Sequence, residues 1–278
     1  MDISALSYFV NVGLIFIFGL IIGSFLNVVV LRMGSGRTLG GRSVCMNCGK
    51  TLKWYMLIPL LSFIVQGGRC AYCRGKLSFQ YPIVEALTGL LVLVAAQHTH
   101  FSIFAFTPYD AARFLVDAFA LATLVVIAAY DLRHKIIPDV LSLIFAFAGI
   151  AAVALRAYHG DWPSMMPLLV SVPRWIDVAA APMLALPLAA IWYFSKGKAM
   201  GLGDAKLLWG VSWFLGLLGG LSALIFSFWL AAIPSVVILL MKKGTMRTEV
   251  PFGPFIALAT VLVYYFGWSV LTLSLSFY

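Results

Sequence analysis

The chain has 278 residues, 63% of them hydrophobic and only 10% charged, and its mean hydropathy of +1.02 is too high for a soluble domain of this size. Repeated apolar runs of about 20 residues place it among helical integral membrane proteins, because a β-barrel would show shorter, alternating signals. The formal net charge of +9 would suit a nucleic-acid binder. The charges lie between apolar runs, however, so they report topology, and no nucleic-acid partner is expected.

Eight spans are predicted at about 8–31, 82–98, 112–130, 139–157, 175–194, 206–219, 221–241 and 252–274, the sixth being the shortest. The fold class expected is an all-α integral membrane protein of about eight transmembrane helices, with a small cytoplasmic zinc-binding module of four cysteines between the first two. Its parts are a first helix (1–31), a zinc-binding segment (32–81) and a transmembrane core (82–278). No cleavable signal peptide is expected, since the first run has no basic residue before it and is long enough to span. If 32–81 is cytoplasmic, sixteen of the nineteen basic residues fall on that side, including Arg32, Arg37, Arg42, Arg133, Lys135, Lys196, Lys198, Lys206, Lys242, Lys243 and Arg247. Only Arg113, Arg156 and Arg174 fall outside, a positive-inside pattern that puts both termini on the outer face.

Along the chain, Gly19 and Gly23 form a small-xxx-small face for close helix packing, and Asn27 is placed to hydrogen-bond to a neighbouring helix. Next come Cys45-Met46-Asn47-Cys48 and Cys70-Ala71-Tyr72-Cys73. Two Cys-x-x-Cys knuckles at this separation suit a closed tetrahedral zinc site with four thiolate ligands. Disulfides or a redox pair fit a reduced cytoplasmic face poorly. Zinc would tie down a segment too small to fold on its own core, whose apolar residues, Trp54 to Phe63, lie on the membrane surface or on the helices.

Tyr81-Pro82 opens the second span with Glu85 one turn in, a placing that favours a helix-dipole or salt-bridge role. His98, His100 and Asp110 read as solvated outer-loop residues, Asp117 as an acid within reach of the outer interface, and Tyr158, Trp162 and Trp175 as interfacial anchors. His134, between Arg133 and Lys135, reads as a solvated residue near lipid headgroups.

Two acids stand at the inner membrane edge. Asp131 closes the third span, and Asp204 follows Gly201-Leu202-Gly203 at the start of the sixth. A carboxylate is expensive there unless paired or functional. Gly201 and Gly203 let the backbone approach a ligand or another helix, although the string also fits a plain helix start with an acid against the macrodipole. Pro251-Phe252-Gly253-Pro254 leaves backbone groups free at membrane depth, either to pair with an extended substrate or to begin a kinked helix. Two aspartates brought together can share one proton, so that one activates water while the other polarises a peptide carbonyl. Such proteolysis needs neither metal nor cofactor.

In their order, these residues resemble the type IV prepilin peptidases. The resemblance is carried by Gly23-Ser24-Phe25-Leu26-Asn27-Val28-Val29, the two knuckles, Ile58-Pro59-Leu60, Tyr81-Pro82 with Glu85, Asp131 with Ile137-Pro138-Asp139, Gly201-Leu202-Gly203-Asp204 and Pro251-Phe252-Gly253-Pro254. It implies a membrane aspartyl protease of the bacterial inner membrane that removes the basic leader of prepilins or pseudopilins after a glycine, on the cytoplasmic side, with Asp131 and Asp204 as its catalytic pair. It also implies N-methylation of the new terminus with S-adenosylmethionine. The chain departs from the family at Met56-Leu57, where an acid and an amide are common, and between Arg32 and Cys45, which is glycine-rich and lacks the usual proline. Two other readings stand beside this one: a presenilin-like protease cutting within spans, and a zinc-stabilised scaffold of secretion or pilus assembly without catalysis.

Overall fold

Each apolar run read from the sequence folds as a helix, because backbone polar groups in a hydrocarbon setting must be satisfied within their own segment. A computed structural model describes residues 3–36, 38–160, 175–241 and 250–270. Arg37, Trp162, Arg174, Lys242, Lys243 and Arg247, read above as topology and interface signals, lie outside them. The elements are α1 (Ile3–Arg32), a 3-10 turn (Trp54–Leu57), α2 (Leu61–Val65), α3 (Gln80–His98), α4 (Pro108–His134), α5 (Asp139–His159), α6 (Trp175–Ser195), α7 (Leu202–Leu240) and α8 (Gly253–Phe266). Among the described residues there are only isolated β-bridges and no strand. Among the described residues six helices are long and apolar enough to cross a membrane, and α8 is a shorter apolar helix.

The chain divides into two compact units, Met1–Phe114 and Leu115–Tyr278. In the first, α1 packs on α3. The small-residue face works as read: a methyl added at Gly19 would sit 2.8 Å from the Gly89 Cα, and one at Gly23 2.8 Å from the Glu85 Cα. Asn27 Nδ2 crosses the same seam to the Tyr81 carbonyl at 3.0 Å.

In the second unit α7 is the centre, packed on α5, α6 and α8. The predicted sixth and seventh spans are the two arms of this one element, folded back at Gly216 (φ 78, ψ 179). A methyl on Gly220 would lie 3.0 Å from the Ser212 Cα. Residues eight apart in a straight helix stand about 12 Å apart, so the arms run side by side. The first arm, 202–215, is about 21 Å long, short of a hydrocarbon core about 30 Å thick. Its turn would therefore leave unpaired backbone groups at membrane depth.

Two charged side chains meet that need. Arg156 donates from Nη1 to the Phe214 carbonyl at 2.8 Å and from Nη2 to the Trp213 carbonyl at 2.6 Å, serving the end of the first arm. Asp177 Oδ1 accepts the Leu217 N–H at 2.9 Å, serving the start of the second. The Trp213 indole N–H donates to the Val178 carbonyl at 2.9 Å. Each charge also opposes the helix-end dipole it faces. Asp117 differs from its sequence reading: it is fully buried and accepts the Tyr264 hydroxyl at 2.6 Å, because α8 packs where an outer interface was expected.

Candidate active site and metal site

Asp131 ends α4's buried face and is 3% exposed; Asp204, in the first turn of α7, is 9% exposed. Phe252 caps α8, so Gly253 is its first residue, with an N–H that no intrahelical carbonyl can accept. That N–H donates to Asp131 Oδ2 at 3.0 Å. The Pro251-to-Pro254 stretch is thus a helix start, and its orphan amide goes to an acid. The absence of a side chain is required here, since a methyl on Gly253 would lie 2.8 Å from Asp131 Oδ2 and 3.1 Å from Ile137 Cδ1.

Ile137 also fills the space before Gly203, where a methyl would meet its Cβ at 3.0 Å. The chain of neighbours Asp131, Gly253, Ile137, Gly203 and Asp204 therefore brings the two acids into one centre, where the charge of each acts on the other. Gly201 opens the turn: its carbonyl accepts the Asp204 N–H at 3.3 Å. Pro251 and Phe252 hold α8's approach, the Phe252 ring 5.0 Å from Phe228, and Pro254 fits the first turn, where no N–H is needed. Lys206 pairs with Asp139 at 2.7 Å on the surface, where an ion pair adds little. His134 stays exposed, 4.4 Å from the Tyr130 ring, as read from its neighbours.

In the first unit the four cysteine sulfurs lie within 4.8 Å of one another. Four thiolates at about 2.3 Å from a tetrahedral zinc stand about 3.8 Å apart, and Cys45 and Cys73 are at 4.0 Å, so this donor set fits a metal ion. The knuckles are built alike. Cys45 N–H donates to the Lys50 carbonyl and Cys70 N–H to that of Gly75, each at 2.9 Å; Gly49 and Arg74 return bonds to Cys45 and Cys70. Both return residues are left-handed, Gly49 at φ 70 and Arg74 at φ 57. Backbone N–H groups of Cys73 and Tyr72 push the Cys70 thiol down to about 6. The Lys50 backbone N–H favours the Cys48 thiolate, but partial burial and the thiols of Cys45 and Cys73 outweigh it and push Cys48 up to about 11.

Glu85, read from the sequence as a helix-start or salt-bridge acid and as a substrate-binding or site-shaping residue, accepts a backbone bond: Leu60 N–H donates to its Oε2 at 2.9 Å. Leu60 sits at φ 58, ψ −50, and Leu61 N–H reaches the Pro59 carbonyl at 2.6 Å, a γ-turn of the strained kind. Sequence reasoning missed this turn, and with it the roles of the buried Arg156, of Asp177 and of Gly216. The glycines of 216, 219 and 220 were the available signal for the fold-back; a lone arginine in a span and an acid at a helix start carried none until their partners met.

These features define a multi-pass helical membrane protein with a buried two-acid centre and a four-cysteine module. A family profile described as the bacterial peptidase A24 N-terminal domain matches residues 17–99, and one described as the type IV leader peptidase family matches 118–236. Among relatives named prepilin leader peptidase/N-methyltransferase, that of Bacillus subtilis is 30% identical over 261 residues, covering 94% of this chain and 96% of its own. That of Pseudomonas aeruginosa is 31% identical over 273 residues (87% and 85%), and that of Xanthomonas campestris 29% over 278 (90% and 89%). The chain belongs to the type IV leader peptidase family. No solved structure matches it.

Proposed function

We propose that the chain is an aspartyl endopeptidase of the bacterial inner membrane, acting at the cytoplasmic edge on prepilins or pseudopilins and cutting after the leader glycine with Asp131 and Asp204. The observation that carries the reading is the pair of buried acids, on two helices of one unit, each within the other's field. Out of water, two such carboxyls share one proton. The ionised acid takes a proton from water as the water attacks the scissile carbonyl; the protonated acid polarises that carbonyl; a proton passes to the departing amine, leaving two peptide ends. Gly253 N–H holds the Asp131 carboxyl in place, and Gly203, having no side chain, lets Ile137 pack between the two acids' helices.

The substrate's form agrees with this depth. A basic leader before an apolar helix stays in the cytoplasm, so the scissile bond rests at the inner membrane edge. Zinc on Cys45, Cys48, Cys70 and Cys73 holds residues 32–81 in shape and takes no part in the cut. A second activity, N-methylation of the new terminus, accompanies the first, with S-adenosylmethionine supplying an electrophilic methyl group when bound. No strand leads into a glycine-rich turn among the described residues, and no residue is assigned to the donor. Coexpression with a prepilin and intact-mass measurement tests both: loss of the leader is expected with both aspartates present and its retention with either changed to Asn, while a further mass gain of one methyl group reports the second activity. Cleavage that persists without Asp131 or Asp204 leaves the scaffold reading in front.

A further inference from the structure

The seam between α1 and α3 carries a second acidic centre in the first unit that the proteolytic chemistry does not use. Glu85 is buried, with Leu60 N–H on one carboxylate oxygen and Ser24 within reach. One turn along the same seam Asn27 is 2% exposed. Its Nδ2 is committed to the carbonyls of Tyr81 at 3.0 Å and Gly23 at 3.4 Å, which fixes which way the amide faces. Its Oδ1 is buried without a hydrogen-bond partner. Gly23, one turn before Asn27 on α1, faces the Glu85 backbone, and Tyr81, one turn before Glu85 on α3, holds the Asn27 amide, so the free amide oxygen and the carboxylate stand on facing turns of one seam.

Acceptors therefore outnumber donors. The carboxylate has the Leu60 N–H and the Ser24 hydroxyl, which leaves lone pairs open, and a buried amide oxygen with no donor at all is costly to leave so. The group that satisfies both is a compact cation with several N–H donors, and a primary ammonium has three. A guanidinium spreads its donors over a wide plane and a neutral amide offers only two, so both suit this pair of acceptors less well. The strained turn at Leu60, which holds its N–H on Glu85, belongs to the stretch between the two cysteine knuckles, so the metal module closes over this seam.

We propose that Glu85 and Asn27 form a primary-ammonium site that recognises the peptide substrate, through either a lysine of the leader or the α-amine freed by cleavage. This rests on the reading of the substrate as a prepilin. The test uses the full-length protein in lipid nanodiscs, made inert by Asp204→Asn, and fluorescent synthetic peptides in two pairs. One pair is an uncut peptide with leader lysines free or acetylated; the other is a mature-end peptide with its α-amine free or acetylated.

In one pair the free amine is expected to bind about tenfold more tightly, as a charge-assisted hydrogen bond provides, and Glu85→Gln is expected to erase that difference while leaving the acetylated peptide's affinity unchanged. The pair that shows this names the source. Should Glu85→Gln not fold, Asn27→Leu is read in the same cycle, with a loss of about threefold expected. Equal weakening of free and acetylated peptides would mean that Glu85 only supports the fold, and no amine preference in either pair ends the proposal. Cleavage of prepilin by the unmodified enzyme is measured alongside, so a protein that does not cut indicts the substrate reading rather than this site.

Discussion

The four-cysteine segment and the two-acid centre are both held by a handful of polar contacts, yet they obtain their order in opposite ways. Residues 43–77 turn their large apolar side chains outward, Trp54 at 77% and Val65 at 76% exposure, and bury chiefly Cys45 and Cys70. The acids stand on helices whose neighbours Leu207, Leu208, Val211 and Ile256 are fully buried. Order in the first depends on what the sulfurs hold. In the second it exists before any ligand arrives, so removing a polar group there costs chemistry rather than fold.

The sharpest break of that contrast is Asp131→Asn or Asp204→Asn. Cleavage is expected to fall on the order of 10⁴-fold with the protein present at normal level and melting unchanged, because shape is kept and only the shared proton is lost. Asp110→Asn, whose carboxylate caps the start of α4 through Thr107, is the control and should cut normally in the same mass assay.

Next in size is the metal. About one zinc per chain is expected, and a structural zinc of this class contributes on the order of 10 kcal/mol to the fold it closes. Four Cys→Ser changes should make residues 43–77 sensitive to limited proteolysis and leave the helices of the second unit intact. Metal uptake by stripped protein should weaken as pH falls through about 11, where Cys48 takes up a proton, and more steeply below about 6, where Cys70 regains the proton that its backbone N–H partners had displaced. Full protection from protease without metal would erase the distinction between the two regions.

The helix hairpin ranks third. Arg156→Met strands two carbonyls at a turn short of the membrane face and should cost about 3 kcal/mol, read as a lowered melting temperature and as heat-sensitive cleavage; Arg156→Lys should recover part of it. Smallest is Arg74→Gly. It relieves a left-handed position that its counterpart Gly49 already fills with glycine, and should stabilise the segment by about 1 kcal/mol, visible as slower proteolysis between the knuckles.

The sequence by itself determined the eight apolar stretches, the cysteine set, and the identities of the two membrane-edge acids. These are local signals: a span is a run of apolar side chains, a knuckle is two thiols three residues apart, and a carboxylate at membrane depth stands out wherever it lies. Glycines 19 and 23 also announced their packing, because a close helix crossing is written in spacing. Tertiary structure alone decided the rest. That the Gly253 amide belongs to Asp131 depends on where α8 begins beside α4, 122 residues away in sequence. That two short spans are one hairpin depends on Arg156 and Asp177, residues of two other helices, supplying the donors and the acceptor that Gly216 leaves unmet. That Asp117 is a buried partner of Tyr264 rather than an interfacial acid depends on a helix 147 residues further on. In each case a backbone or side-chain polar group had to be satisfied out of water, and no sequence window holds both halves of that requirement.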